Sequence, residues 1–223
     1  MGGHAGRVRD VRGAVVVVVG ASGGLGSAIA DELTERGAVV IGAGRSGPDL
    51  CLDIRDSHAG DAVVRVALGT YGRLDGVVVA SGVVAFGDLA ATEPVVVEEL
   101  FLVNALGPLW LAQRVLAPLA ESKGFFAAIT GVVAEQAFPG LVAYGASKAA
   151  LSNGLAGLRR EVCRRGVQVL DIRPPHTETG LATRPLAGTA PRMPQGLDPL
   201  QVARRVVAAI EAGDDDLSAA SFA

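Results

Sequence analysis

The chain alternates short apolar runs with stretches whose apolar residues recur at helical spacing. Val15 to Val19 is a run of five valines. It is too short to cross a bilayer, and its β-branched side chains favour a strand buried on both faces. Past the glycines that follow, Ser27 to Arg36 has the spacing of a helix that ends at Gly37. Strands are then predicted at Val39–Ala43 and Leu50–Asp53, a helix from about Ser57 to Gly69, and a strand at Gly76–Ala80. Two helices fall within 94–121, separated or bent near Gly107-Pro108. A fifth strand covers Phe125–Thr130, a long helix Tyr144–Arg165, a sixth strand Val167–Ile172 and a last helix Pro199–Ala212, with an edge strand at Leu217–Phe222. Repeated β-α units of this kind predict an α/β fold: a single-domain, doubly wound parallel sheet with helices on both faces.

Composition narrows the reading. The 223 residues are enough for one full core; half are hydrophobic and 4% aromatic, so valine, alanine and leucine must fill it. A net charge of −3 and a pI near 5.6 argue against a nucleic-acid partner. No window reads as a transmembrane helix, the start Met1-Gly2-Gly3-His4 lacks a signal-peptide core, and Gly6 stands where a myristoylation motif wants serine or threonine. A cytoplasmic protein without membrane contact is expected, with Cys51 and Cys163 as two reduced, buried thiols. The acidic run Asp214–Asp216 reads as a solvated turn, and no metal site is expected.

Two motifs carry chemistry. Gly20-Ala-Ser22-Gly23-Gly24-Leu25-Gly26 sits between the first strand and its helix. Strand, glycine turn and helix together present backbone N–H groups and a helix N-terminus to a phosphate. Tyr144-Gly-Ala-Ser-Lys148 opens a helix and puts a phenol and an ammonium four residues apart on one face. The lysine is expected to lower the tyrosine's pKa and make it a proton exchanger. The long irregular stretch Pro174–Asp198 is expected to cover a substrate, with Arg184 and Arg192 available to an anion.

With these motifs the chain resembles the short-chain dehydrogenase/reductase family over essentially its whole length. The resemblance rests on the glycine turn, Asp53 after the third strand, Asn104 in the fourth helix, the Tyr144–Lys148 pair and Arg173-Pro174-Pro-His-Thr-Glu-Thr179. It implies a Rossmann fold in which Gly20, Gly24 and Gly26 shape the pyrophosphate turn, with Ser22, Gly23, Leu25, Gly82 and Pro174 beside the cofactor. Tyr144 would be the general acid, Lys148 the ribose-binding partner, and Asn104 the anchor of a proton-relay water. Asp53 would sit by the adenine, and Thr177 and Thr179 near the carboxamide. It also implies homodimers or homotetramers packed through the helices at 94–121 and 144–165.

Cofactor choice turns on the end of the second strand. Gly44 occupies the position where NAD-preferring enzymes place a carboxylate, and Arg45 with Ser46 follows. A guanidinium can fork onto a 2′-phosphate, so NADP(H) is expected. Three positions depart from the family pattern. Gly131 stands where the family's catalytic serine lies, thirteen residues before the tyrosine; Thr130, His176 and Thr177 are the candidate replacement donors. Val79-Ala80-Ser81-Gly82 replaces Asn-Asn-Ala-Gly, and Pro174-Pro175 replaces Pro-Gly. The expected function is an NADP(H)-dependent oxidoreductase acting on a small-molecule carbonyl, ketone or quinone, or on the corresponding alcohol. The alternatives are an NADP-binding sensor or structural module, and a non-redox isomerase or dehydratase.

Overall fold

A computed structural model describes residues 8–223. The expectations for Met1, Gly2 and Gly6 lie outside those residues. Among the described residues, seven parallel strands form one sheet: β1 (Val15–Val19), β2 (Val39–Gly44), β3 (Leu50–Cys51), β4 (Gly76–Val79), β5 (Phe125–Ile129), β6 (Gln168–Ile172) and β7 (Asp216–Leu217), in the order β3-β2-β1-β4-β5-β6-β7. The connecting helices are α1 (Gly24–Glu35), α2 (Ala59–Tyr71), α3 (Pro94–Phe101), α4 (Gly107–Ser122), α5 (Val142–Val162) and α6 (Pro199–Ala212).

The valine run shows how the sequence is read by the sheet. Alternate side chains of a strand point to opposite faces. Val15, Val17 and Val19 therefore join the core beneath α2, α4 and α5, while Val16 and Val18 join the core beneath α1 and α6. Both layers are dry, which is why the run has no polar alternation. In register, Val15–Val19 pair with Val39–Ala43 on one side, and Val16–Val19 with Gly76–Val79 on the other. The chain leaves β1 toward β2 and β3, then crosses back to β4. That reversal opens a crevice at the carboxyl ends of β1 and β4, where this class of sheet binds ligands.

Three expectations are corrected. The edge strand ends at Leu217, and Ala219–Phe222 is a 3-10 turn. Cys51 and Cys163 are exposed, because β3 is a two-residue edge strand and Cys163 begins the 3-10 turn after α5. The break expected near Gly107-Pro108 is present as a π-helical turn, Leu102–Leu106, that passes directly into α4 at Gly107. The resulting helix, Pro94–Ser122, is 29 residues long with a window of mean hydropathy 1.6, so it does pass the length and composition test for a span. Its Leu111, Val115 and Leu119 are fully buried against the sheet, the placement of a core helix.

Candidate active site

A cavity of about 970 Å³ follows the crevice. It is lined by every residue singled out for cofactor binding: Gly20 and Ser22–Gly26 at the glycine turn, Arg45, Ser46, Asp53, Gly82, Tyr144, Lys148, Pro174, Thr177 and Thr179. The turn is built for close approach. A Cβ on Gly26 would lie 2.0 Å from the Gly20 carbonyl oxygen, and one on Gly24 would lie 2.7 Å from the Thr179 carbonyl oxygen. The Pro174–Asp198 segment therefore reaches the glycine turn despite Pro175. It is fastened by Thr177 bridging Leu197, and by backbone bonds from Leu186 to Val84 and from Phe86 to Ala187.

The residues fit a dinucleotide. The α1 N-terminus opens at Gly23 and Gly24 with no side chain capping it, which suits a diphosphate. Exposed Arg45 and Ser46 follow at the end of β2. Asp53 receives the Arg55 guanidinium at 2.5 Å, and Arg55 also reaches Glu99 at 3.1 Å. Arg55, with a lesser contribution from Arg45, holds the Asp53 carboxyl below its ordinary range. Arg55 and Glu99 line the cavity beyond the residues that the motifs single out; the Asp53-Ile-Arg55 spacing is the sequence signal for the first of them. Ser81 lines it as well. Its backbone packs against Gly20 and its hydroxyl is buried without a partner.

Tyr144 lies in the first turn of α5 and Lys148 one turn on, so both meet the cavity. Burial pushes the Tyr144 phenol up to about 12. Burial also lowers the Lys148 ammonium to about 8, opposed by the Asp171 carboxylate. The Lys148 Nζ donates to the Ile129 carbonyl at 2.8 Å. The expected lowering of the phenol by the ammonium is thus absent here: desolvation governs Tyr144, and the lysine is turned to the end of β5.

Asn104 sits in the π-helical turn, completely buried behind the cavity. Its Oδ1 accepts from the Val83 N–H at 3.0 Å, while its Nδ2 donates to the Val83 carbonyl at 2.9 Å and Ser147 Oγ at 3.1 Å. The amide side chain is committed to protein partners and clamps the segment after Gly82. π-bulges of this sort recur at functional sites.

The wall at Gly131, where the family's serine is absent, is equally specific. Thr130 Oγ1 donates its single hydrogen to Asp171 Oδ1 at 2.5 Å, beside the Ser152 hydroxyl and Arg173 guanidinium on the same carboxylate. This corrects the expectation that Thr130 replaces the serine: its proton points into the sheet. Gly131 has φ 81° and ψ 163°, a region populated essentially by glycine alone. Nothing lies nearer than 3.9 Å to where its Cβ would be, so space is not the obstacle. Gly131→Ser is expected to cost about 1–3 kcal/mol in stability and to leave turnover no higher. Thermal denaturation beside initial rates checks it; a faster serine variant at unchanged Tm would refute it.

Residues 14–187 match the short chain dehydrogenase family. The chain belongs to the short-chain dehydrogenase/reductase family, whose members are oxidoreductases that use a nicotinamide cofactor on small molecules. It is 33% identical over 222 residues to glycine betaine reductase ATRR of Emericella nidulans, an alignment covering 89% of this chain and only 18% of that protein. An uncharacterized oxidoreductase of Staphylococcus aureus is 28% identical over 212 residues, covering 88% of this chain and 90% of the relative. A short-chain dehydrogenase crystal structure from Streptomyces avermitilis matches with a TM-score of 0.80 at 29% identity, covering 92% of this chain and 88% of the other.

Proposed function

We propose that this protein is an NADP(H)-dependent reductase of a small carbonyl compound, able to run in reverse on the alcohol. The observation that carries the reading is the convergence of the glycine turn, Arg45, Tyr144 and Lys148 on one cavity. The turn at Gly20–Gly26 binds the diphosphate through backbone N–H groups, and Lys148 leaves Ile129 to bind the ribose hydroxyls. When bound, the cofactor supplies hydride to the carbonyl carbon. Tyr144 holds its proton at neutral pH and delivers it to the carbonyl oxygen. Phe86, Phe138, Leu141, Leu181 and Met193 line the remainder of the cavity, so the substrate carries an apolar body. The Pro174–Asp198 segment covers it and keeps water out. Exposed Leu106 and Val95, with half-buried Trp110, support self-association along α3 and α4 as a dimer or tetramer.

A second reading, an NADP-binding module with little turnover, draws on the glycine-only backbone at 131. NADPH consumption with nitrobenzaldehyde or phenanthrenequinone separates the two: binding without consumption of either favours the module. Cofactor choice has its own test. Arg45→Ala is expected to weaken NADPH binding about 10–100-fold, the size of a lost charged hydrogen bond, and to leave NADH affinity alone. Titration of both dinucleotides by fluorescence reads the difference; equal weakening would remove the 2′-phosphate argument.

A further inference from the structure

Protonation by Tyr144 leaves one requirement of carbonyl reduction unmet. As hydride adds, negative charge grows on the oxygen, and a second hydrogen-bond donor aimed there contributes substantially to rate. This inference rests on the reductase reading above. On the wall beside Gly131 almost every donor is already spent. The Gly131 N–H donates to the Ile172 carbonyl at 3.1 Å and the Val132 N–H to the Pro174 carbonyl at 3.0 Å. Thr130 gives its hydrogen to Asp171. Thr177 Oγ1 donates to the Pro175 carbonyl at 2.9 Å; the Ser81 hydroxyl is unspent but buried beside Gly20 at the glycine turn.

The residue that fronts the gap is Pro174. The Pro174 carbonyl oxygen is the nearest atom, at 3.9 Å, to the place a Cβ on Gly131 would occupy. His176 lines the cavity two residues further on, with its side chain about one-third exposed. Its position is held. The backbone carbonyl accepts from Leu197 N–H at 2.8 Å, and the ring lies so close over Gly196 that a Cβ there would fall 2.7 Å from Cδ2. Glu178 Oε1 stands 3.4 Å from His176 Nε2, beyond the usual hydrogen-bond range, and itself takes the Gly196 N–H at 2.7 Å. At 3.4 Å the Glu178 contact is long, and a closer acceptor competes with it for the ring hydrogen. The other polar side chains on this half, Gln136 and Arg184, are exposed at the rim.

We propose that the His176 imidazole donates the hydrogen bond to the substrate carbonyl oxygen that the side chain missing at Gly131 would have given. The histidine transfers no proton in this step; it polarises the carbonyl while Tyr144 protonates it.

His176→Leu tests the assignment with NADPH and nitrobenzaldehyde. The kcat is expected to fall about 10²-fold, the loss typical of one such donor, with NADPH affinity and Tm unchanged. His176→Gly should recover part of that loss when imidazole is added, which a merely structural histidine would not allow. Gln136→Leu should keep the wild-type rate. A His176→Leu enzyme within twofold of wild type, a loss that imidazole does not relieve, or the same loss in Gln136→Leu would each overturn the proposal. Tyr144→Phe in the same assay isolates the failure. An inactive Tyr144→Phe beside an active His176→Leu removes only the histidine's role. An active Tyr144→Phe, or a wild type that reduces neither nitrobenzaldehyde nor phenanthrenequinone, removes the reductase reading and this inference with it.

Discussion

Tyr144→Phe is expected to lower kcat for carbonyl reduction by about 10³ while NADPH affinity stays within about twofold. The substitution removes one oxygen and keeps the ring that packs in the first turn of α5. Tyr144 carries its proton firmly, since burial drives the phenol up to about 12. At neutral pH it is therefore an acid with a proton to give, as the reductive direction needs. The alcohol-oxidising direction needs the phenolate, so its rate should rise with pH in the wild type, and the phenylalanine variant should lose that dependence along with its rate. Steady-state kinetics in both directions, set beside a binding titration, read these outcomes together. A phenylalanine variant with normal turnover would mean that the proton comes from elsewhere.

Lys148 sets the complementary condition. Its ordinary pKa is 10.5, and burial brings it down to about 8. A lowered lysine favours the neutral form in the fold, so its linkage lowers stability as pH falls from the unfolded value toward 8, and adds no further change below that. The site accepts this cost in order to keep an ammonium beside the cavity. Asp171 opposes the burial effect, and the Ile129 carbonyl receives one of the ammonium's hydrogens.

These particulars show which parts of the molecule local sequence could specify. The valine run, the glycine turn and α6 at Pro199–Ala212 rest on periodicity and on turn chemistry within a few residues, and these were legible. So was the grouping of distant motifs, because the order of β-α units fixes which loops meet at the carboxyl ends of the strands. What was not legible depends on partners far along the chain. Thr130 is turned inward by Asp171, forty-one residues away, and the π-helical turn is held where Asn104 clamps Val83 across twenty-one. The lysine's effect on the tyrosine was inferred from i,i+4 spacing, whereas burial by the surrounding structure decides it. Cys51 is expected as a buried thiol from its isolation in the sequence, but a two-residue edge strand leaves it exposed.

The glycine turn offers the other large effect. Gly26→Ala is expected to cost roughly 3 kcal/mol or more in stability and to abolish measurable NADPH binding. The added methyl would stand 2.0 Å from the Gly20 carbonyl oxygen and 2.7 Å from its carbon, both backbone atoms that no rotamer change can move. Relief requires α1 to shift away from the end of β1. Leu25 and Ile29 on α1 are buried against the sheet and α6, so the helix cannot shift without opening that core. At this chain length the loss corresponds to a fall in Tm of about 6–12 °C. The turn would be displaced from the position in which its N–H groups meet the diphosphate, so NADPH and NADH should both be lost. That sets this variant apart from Arg45→Ala, which discriminates between them. Calorimetry and a two-cofactor titration of the alanine variant decide the point: retained binding of either dinucleotide at near-wild-type affinity would mean the diphosphate does not lie on this turn.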